Sequence, residues 1–157
     1  MDVNVKRAVK MFFSKSSFEM IYFEAFANAL DAGATEFRID VRLPKESDWE
    51  NLSLILSDNG EGFTDERFGK FKKLLDVEER THKGLGRLVY LCYFDKVQVE
   101  SVFKDGKVRK FEFNEDFSGE NNIDDTEQET TGTRLSFYGF NGERLGKVDY
   151  VKPFYIK

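Results

Sequence analysis

The chain has 157 residues, a length that suits one domain with a substantial core. Apolar residues make up 40% and charged residues 34% of the sequence, an ordinary balance for a soluble globular protein, and no apolar run approaches the roughly 20 residues of a membrane-spanning helix. The N-terminal sequence lacks the apolar segment and cleavage site of a signal peptide, and the single cysteine, Cys92, excludes an internal disulfide. We therefore expect one cytoplasmic domain over residues 1–157.

Apolar residues at helical spacing predict two helices at the start of the chain. The first covers Val3–Phe13. The second begins at a capping box formed by Ser16 and Glu19 and ends at Gly33, a residue suited to closing a helix. We expect the second helix to pack into the core through Ile21, Ala25, Phe26, Ala29 and Leu30.

Two strands and a third helix are predicted next. Strict alternation over Glu36–Leu43 predicts a half-buried strand whose inward side chains are Phe37, Ile39, Val41 and Leu43. Pro44–Asn51 is predicted to turn, so that Leu52–Ser57 pairs back on this strand. After a break at two glycines, Thr64 is expected to cap a helix over Asp65–Leu75.

A polar segment, a buried helix and a hairpin follow. Asp76–Lys83 shows no periodicity and is interpreted as a mobile loop. Leu85–Phe94 is apolar on nearly all sides and is predicted to be a helix that buries Cys92. Asp105-Gly106 predicts a two-residue hairpin between strands at Lys96–Phe103 and Lys107–Phe113.

The net charge of −5 is concentrated in the segment that comes after this hairpin. Asn114–Thr131 contains seven acidic residues and no Lys or Arg, so it is predicted to be a solvated loop, and removing the seven would take the net charge to +2. No dense cluster of Lys and Arg with interleaved aromatic residues occurs elsewhere, and nucleic-acid binding is therefore not indicated.

The last segments complete a sheet. Gly132–Phe140 alternates as a strand, and the tail Asn141–Lys157 is expected to dock through its apolar residues. Helices that precede and interrupt a sheet of hairpins indicate an α+β two-layer sandwich. Seventeen Phe residues predict that its core is built on aromatic packing.

The second predicted helix carries three polar side chains on one face. Glu24, Asn28 and Asp31 lie at positions i, i+4 and i+7. For a single helix, a solvated polar face explains this pattern at least as well as a binding site does. Two later glycine-containing stretches favour the binding site: Asp58-Asn59-Gly60-Glu61-Gly62 and Lys83-Gly84-Leu85-Gly86-Arg87.

Together with Gly132-Thr133, these stretches resemble the ATP-binding domain of the GHKL superfamily, which includes gyrase, the large heat-shock chaperone, histidine kinases and MutL. The family signature is a helix with Glu, Asn and Asp-Ala, an Asp-x-Gly-x-Gly turn, a glycine-rich phosphate loop and a Gly-Thr strand entry. The four motifs occur here in that order, over about residues 15–139. The resemblance implies a mixed, largely antiparallel sheet with helices covering one face, and it implies ATP and Mg²⁺ as cofactors.

The resemblance assigns adenine recognition to Asp58. An ionised carboxylate only accepts hydrogen bonds, so it can pair with the exocyclic amine of adenine and disfavours guanine, which presents a carbonyl there. The family places a hydroxyl at the same ring edge through a water molecule, and Thr133 is its counterpart. Gly60 and Gly62 let the backbone approach the base or take a positive φ. In isolation, Asp-Asn-Gly would be an ordinary turn.

The resemblance assigns the phosphate end of the nucleotide to the first and third motifs. Asn28 supplies an amide oxygen to Mg²⁺, a metal that usually takes few protein ligands. Glu24 acts as the general base that activates water for attack on the γ-phosphate, and Asp31 belongs to the same nucleotide-binding motif. The start of the buried helix, where free N–H groups attract anions, is expected to bind the phosphates through Lys83, Gly84, Leu85, Gly86 and Arg87.

The branch of the superfamily stays open on the sequence. Asp31-Ala32-Gly33 is closest to the MutL branch, whereas the glycine-rich loop does not look like that of MutL. Gyrase-like and MutL-like ATPases take a lysine from a following domain. We therefore expect an N-terminal module that binds ATP, hydrolyses it slowly, and couples nucleotide state to lid closure and to a homodimer, a downstream domain or another partner.

Two other functions also remain open. A histidine-kinase-like catalytic domain would share the motifs, although this chain has no phosphoacceptor helix pair and has Asp31-Ala32-Gly33 where kinases commonly carry Lys or His. A non-catalytic nucleotide-binding or partner-binding module would act through the acidic stretch and would not need Glu24.

Overall fold

The computed structural model describes residues 5–6, 9, 17–46, 48–73, 86–104 and 106–141. The helices with described bounds are α1 (Met20–Asp31), α2 (Asp65–Lys73) and α3 (Leu88–Tyr93). The strands are β1 (Phe37–Arg42), β2 (Ser53–Asp58), β3 (Phe94–Lys104), β4 (Lys107–Asn114), β5 (Asn122–Asp125) and β6 (Gly132–Phe140). No helix in these ranges is long and apolar enough to cross a membrane.

The six strands form one sheet in the order β1-β2-β6-β3-β4-β5. Each described pairing between neighbouring strands is antiparallel. β6 comes last in the chain but lies between β2 and β3, so its first residues stand beside the end of β2. This return of β6 to the middle of the sheet brings the Gly132-Thr133 motif next to Asp58 and the glycine turn that follows it.

An aromatic-rich core lies between the helices and one face of the sheet, so the α+β two-layer sandwich is confirmed. The sheet contributes alternate side chains such as Leu54, Leu56, Val97, Val99, Phe113 and Phe137. Facing them, the helices contribute Ile21 and Ala25, Phe68 and Phe71, and all six residues of α3. The opposite face of the sheet carries exposed polar side chains, including Gln98, Glu100 and Lys110.

Gly33 closes α1, as predicted. Its φ of 74° is left-handed, a conformation that glycine adopts without a steric penalty. The N–H of Gly33 donates to the carbonyl of Leu30, and the N–H of Ala34 donates to that of Ala29. This is the Schellman pattern, and it turns the chain sharply into β1.

The outer side of α1 and the edge strand β1 are less buried than predicted. Phe26 and Leu30 are 46% and 56% exposed, and Ile39 and Val41 are 48% and 40% exposed. On α1 only Ile21, Ala25 and Ala29 are buried. The sequence pattern was wrong here because an apolar helix stripe can be wider than the surface that covers it, and within the described residues no element lies outside β1.

The prediction that Asn114–Thr131 is entirely a loop was wrong, because residues 122–125 form β5. β5 pairs with β4, and two ion pairs cross between these strands: Lys107 with Asp125, and Lys110 Nζ with Asp124 Oδ2 at 3.6 Å. All four β5 side chains are exposed, and Asn and Asp have low strand propensity. The strand therefore depends on its partner and leaves no alternating pattern in the sequence.

α3 is shorter than predicted, since it begins at Leu88 and Phe94 already belongs to β3. Cys92 is a buried free thiol, as expected. The predicted cap of α2 is confirmed by the Arg67 N–H, which donates to Thr64 Oγ1 at 3.2 Å.

Several predictions fall wholly or partly outside the described residues. They are the capping residue Ser16, the loop Asp76–Lys83 and the tail after residue 141. Of the first predicted helix, only Val5, Lys6 and Val9 are described, and all three are helical.

Candidate functional site

A cavity of about 340 Å³ lies on the helix-covered face of the sheet, between α1 and α2. Its floor is apolar and includes Val97, Val99 and Leu135. Six of the residues predicted to bind a nucleotide line it: Asn28, Asp31, Asp58, Gly62, Arg87 and Thr133. An apolar cavity of this size with a few convergent polar groups is the usual form of a small-molecule site.

Glu24 joins this site through Asn28. Asn28 Nδ2 donates a hydrogen bond of 3.1 Å to Glu24 Oε1, one helical turn away. Because the amide nitrogen is engaged by the carboxylate, the amide oxygen of Asn28 is left to face other groups. The predicted shared face of Glu24 and Asn28 is thus confirmed, and Glu24 itself lies just outside the cavity lining.

Burial sets the electrostatics of Glu24. Desolvation raises its pKa above the ordinary value of 4.5, and Asp31 adds to this effect. The hydrogen bond from Asn28 and the charge of Arg87 act in the opposite direction without cancelling it. A carboxyl group whose pKa is shifted towards neutrality suits proton transfer better than an ordinary one.

Gly86 lies directly against the Glu24 carboxylate. A Cβ atom at Gly86 would overlap the Glu24 carboxylate. The glycine-rich stretch that ends at Arg87 therefore contacts the motif of α1 directly. The missing side chain of Gly86 leaves room for the Glu24 carboxylate.

The predicted anion site at the start of the buried helix is described only at Gly86 and Arg87. The N–H groups of Val89 and Tyr90 donate to the carbonyls of Gly86 and Arg87, so these two groups are not free. Lys83, Gly84 and Leu85 lie outside the described residues. α3 has six residues, and its dipole is correspondingly small.

Arg87 is the buried cation of the site, with only 7% of its surface exposed. Its guanidinium carbon lies 4.3 Å from the centre of the Phe71 ring, and Nη1 donates to the Phe71 carbonyl at 3.3 Å. Its Nε has no hydrogen-bond partner within the described residues. Burial lowers the pKa of Arg87, and Glu24 counteracts this effect. Arg87 lines the cavity and adds positive charge to this wall, whereas its Nε is buried away from the cavity surface.

Asp58 and Thr133 form the other end of the cavity. They face each other across β2 and β6. Asp58 Oδ1 accepts the Gly60 N–H at 2.8 Å, which leaves its second oxygen without a partner in the described residues. Burial raises the pKa of Asp58, whereas the Gly60 bond and Arg67 lower it.

The glycines beside Asp58 are required by the protein's own packing. A Cβ atom at Gly60 would lie 2.7 Å from Ala32 Cβ. Gly62 has a φ of 79°, and a Cβ there would lie 2.5 Å from the Val102 carbonyl oxygen. Both glycines therefore let this turn sit against α1 and β3, which fixes the position of Asp58.

A polar row crosses the sheet at the level of Asp58. Asp58, Thr133, Ser101 and Arg109 are successive partners in the register of β2, β6, β3 and β4. Ser101 Oγ accepts the Phe63 N–H at 2.7 Å, and Arg109 Nε donates to the Phe63 carbonyl at 3.0 Å. The N–H and the carbonyl of Phe63 are both hydrogen-bonded, and the turn after Asp58 is thereby fixed to β3 and β4.

Sequence reasoning missed the contributions of α2 and α3 to the cavity. Arg67, Lys70, Phe71 and Tyr90 line it. Arg67 bonds the Asp31 carbonyl and forms an ion pair with Glu61, which closes the gap between α1 and α2. The Tyr90 hydroxyl is buried beside Asn28 without reaching hydrogen-bond geometry. No sequence signal marks these residues, because tertiary packing alone directs them to the cavity.

A second cavity of about 410 Å³ lies near the same strand ends and is lined by polar side chains such as Glu100, Gln128 and Arg134. It shares Asp58 and Thr133 but lacks Asn28 and Arg87. Within the described residues, no group of three or more His, Cys, Asp or Glu side chains is placed to hold a metal ion.

No protein-family model matches the chain, and no curated protein sequence matches it. Among solved structures it is similar to the 43K ATPase domain of Thermus thermophilus gyrase B, in complex with an aminocoumarin, with a TM-score of 0.50 and 24% sequence identity. The similarity covers 87% of this chain and 38% of the gyrase chain. At this identity the similarity shows the fold alone, an α+β sandwich that the chain shares with the gyrase domain.

Proposed function

We propose that this domain binds an adenine nucleotide together with Mg²⁺ in the 340 Å³ cavity and hydrolyses ATP slowly. The observation that carries the proposal is that one cavity collects side chains from separate motifs: Asn28 from α1, Asp58 from β2 and Thr133 from β6. These motifs are far apart in sequence: Thr133 meets Asp58 because β6 returns to the middle of the sheet, and Asn28 lies on α1, which covers this face. The fold that the chain shares with the gyrase B ATPase domain also supports an adenine nucleotide as the ligand.

The adenine is proposed to lie at the Asp58 end. The free oxygen of Asp58 accepts from the exocyclic amine, since Oδ1 is held by the Gly60 N–H. The apolar floor formed by Val97, Val99 and Leu135 covers a face of the base. The phosphates then point towards Asn28 and Arg87, and the guanidinium of Arg87 supplies positive charge at this end of the cavity.

The side chains at the phosphate end suit Mg²⁺. The Asn28 amide oxygen is a neutral, hard ligand, and its orientation is fixed by the bond from Nδ2 to Glu24. Mg²⁺ takes few protein ligands and completes its shell with phosphates and waters, so one amide oxygen is sufficient. When bound, the metal neutralises charge on the phosphates.

Glu24 is proposed as the general base that orients and deprotonates the attacking water. Its pKa, raised by burial, moves towards the pH at which such a base operates. The resemblance implies that full turnover uses a lysine from a following domain, and we expect slow turnover when residues 1–157 are assayed alone. We also propose that nucleotide binding closes the segment 76–83 over the site and promotes a homodimer or the binding of a downstream partner. The first motif relates the chain to the MutL branch in this proposal.

Nucleotide binding is tested by calorimetric titration of ADP with Mg²⁺ into the protein and into Asp58→Asn. Asp40→Asn, which changes an exposed carboxylate on β1, is the matched control. We expect Asp58→Asn to weaken ADP at least about tenfold, because the amide presents a donor to the adenine amine, and Asp40→Asn to change little. Equal ADP affinities for the protein and Asp58→Asn, or no ADP binding by either, would refute the proposal.

Hydrolysis is tested separately with Glu24→Gln. Loss of a general base typically lowers the rate by about 10²–10⁴-fold. We expect ATP turnover to fall by about this factor while ADP affinity stays within about threefold, and Glu19→Gln, an exposed change beside α1, to retain turnover. A Glu24→Gln protein with undiminished turnover would instead favour another base.

A further inference from the structure

Ser101 is completely buried behind the cavity, in the polar row of the sheet. Its hydroxyl oxygen accepts the Phe63 N–H at 2.7 Å and lies 2.9 Å from Thr133 Oγ1. Ser101 does not line the cavity, whereas Thr133 does. Any effect of Ser101 on a ligand therefore passes through Thr133 or through Phe63, which also lines the cavity.

The direction of the Ser101–Thr133 hydrogen bond follows from counting donors. Within the described residues, the only acceptor that the Ser101 hydroxyl hydrogen reaches is Thr133 Oγ1. If Thr133 were the donor, the Ser101 hydrogen would be buried without an acceptor, which is strongly unfavourable. Ser101 therefore donates to Thr133, and the Thr133 hydrogen remains free to point into the cavity.

The consequence is a fixed order of hydrogen-bonding groups at this end of the cavity. Asp58 presents an acceptor, and Thr133 beside it presents a donor. Adenine has the complementary edge, because its exocyclic amine donates and its N1 accepts. Hypoxanthine and guanine present the reverse order, a carbonyl that accepts and an N1–H that donates.

We propose that Ser101 is a specificity-determining positioning residue that makes Thr133 a hydrogen-bond donor to N1 of adenine, directly or through one water molecule. The proposal rests on the adenine-nucleotide site proposed above and adds a second determinant to Asp58. Gly62 supports it, because a Cβ at Gly62 would lie 2.7 Å from Ser101 Oγ and displace the hydroxyl.

The test compares the affinities of ADP and inosine diphosphate by calorimetry for the protein, Ser101→Ala and Ser136→Ala. Ser136 is the matched control, since it lies on β6 three residues from Thr133 and on the opposite face. Without the Ser101 donor, the Thr133 hydroxyl is free to rotate and accept from the N1–H of inosine diphosphate. We expect the ADP preference to fall by about fivefold to tenfold in Ser101→Ala and by less than about twofold in Ser136→Ala.

The ratio of the two affinities separates this role from a structural one. A variant that only loosens the turn at Phe63 weakens both nucleotides equally and leaves the ratio unchanged. Ser101→Cys is the second variant, because its thiol fills nearly the same space but is a weak donor, and we expect the same fall in the ratio.

Each outcome decides between the two proposals. A ratio that is unchanged in both Ser101 variants, with ADP binding still weakened in Asp58→Asn, overturns the role of Ser101 and leaves the nucleotide site standing. A protein that binds no ADP overturns the nucleotide site and the role of Ser101 together.

Discussion

At the scale of single residues, Glu24 shows a conflict between stability and the proposed function. Its carboxylate is partly buried against Gly86 and accepts one hydrogen bond, from Asn28. Burial disfavours the charged form, and its pKa is raised in consequence. A residue kept in an unfavourable charge state is typical of functional sites.

Glu24→Gln is therefore expected to stabilise the protein. The raised pKa means that the folded state binds the proton more tightly than the unfolded chain, so the stabilising contribution of Glu24 is complete below its ordinary pKa of 4.5 and is lost as the pH rises through the folded-state pKa. We expect Glu24→Gln to increase the free energy of unfolding by roughly 0.5–2 kcal/mol at about pH 8 and to have a much smaller effect at about pH 4. Urea denaturation at the two pH values measures the difference. A variant that is less stable than the protein at the higher pH would contradict the assignment.

Two glycines give a matched pair of opposite effects. Gly62 has a positive φ, and its Cβ would meet the Val102 carbonyl oxygen at 2.5 Å, whereas Gly69, within α2, has nothing within 4 Å. We expect Gly62→Ala to destabilise the fold by about 2–3 kcal/mol and Gly69→Ala to stabilise it by up to about 1 kcal/mol. Thermal unfolding of both variants measures this. Similar changes in both would show that the turn after Asp58 is not constrained as described.

At the scale of elements, Arg109 connects β4 to the start of α2 and, through Asn121, to the acidic segment 114–131. Its guanidinium bonds the Phe63 carbonyl, Asn121 Oδ1 at 2.8 Å and the Asp65 carboxylate. It also lies 4.6 Å from the Phe68 ring centre and 4.9 Å from that of Phe103. The ion pair is asymmetric, because the Arg109 side chain is 4% exposed and that of Asp65 is 88% exposed.

This asymmetry predicts unequal costs for removing the two partners. Arg109→Met leaves the Phe63 carbonyl and Asn121 without a donor, and we expect a loss of about 2–4 kcal/mol. Asp65→Asn keeps an oxygen that can accept from Arg109 but leaves the buried guanidinium without a counterion, and we expect a smaller loss of about 1–2 kcal/mol. Chemical denaturation of the two variants provides the comparison. Equal losses would mean that the ion pair, and not the buried arginine, holds α2 to β4.

At the scale of the whole molecule, the sequence predicts most of the framework. Alternation and capping signals locate β1, β2, β6 and α2 to within one or two residues, because each of these elements has its own local pattern. β5 has no such pattern and forms only by pairing with β4. The exposed flank of Phe26, Ile39 and Val41 was also missed, since periodicity predicts an apolar face but not what covers it.

The candidate site was predictable in part for the same reason. Glu24, Asn28, Asp58 and Thr133 belong to ordered motifs, whereas Arg67, Tyr90 and Ser101 reach the site only through strand order and helix packing. The roles of the motif residues remain predictions until a nucleotide is bound. The position of a bound nucleotide is thus the property on which the whole account depends.

The most direct test is a crystal structure of the protein with ADP and Mg²⁺. We predict that the base lies in the 340 Å³ cavity, with its exocyclic amine about 3 Å from the free oxygen of Asp58 and its phosphates towards Asn28 and Arg87. ADP in the second cavity, beside Glu100 and Arg134, or in the first cavity with its base remote from Asp58, would contradict the account.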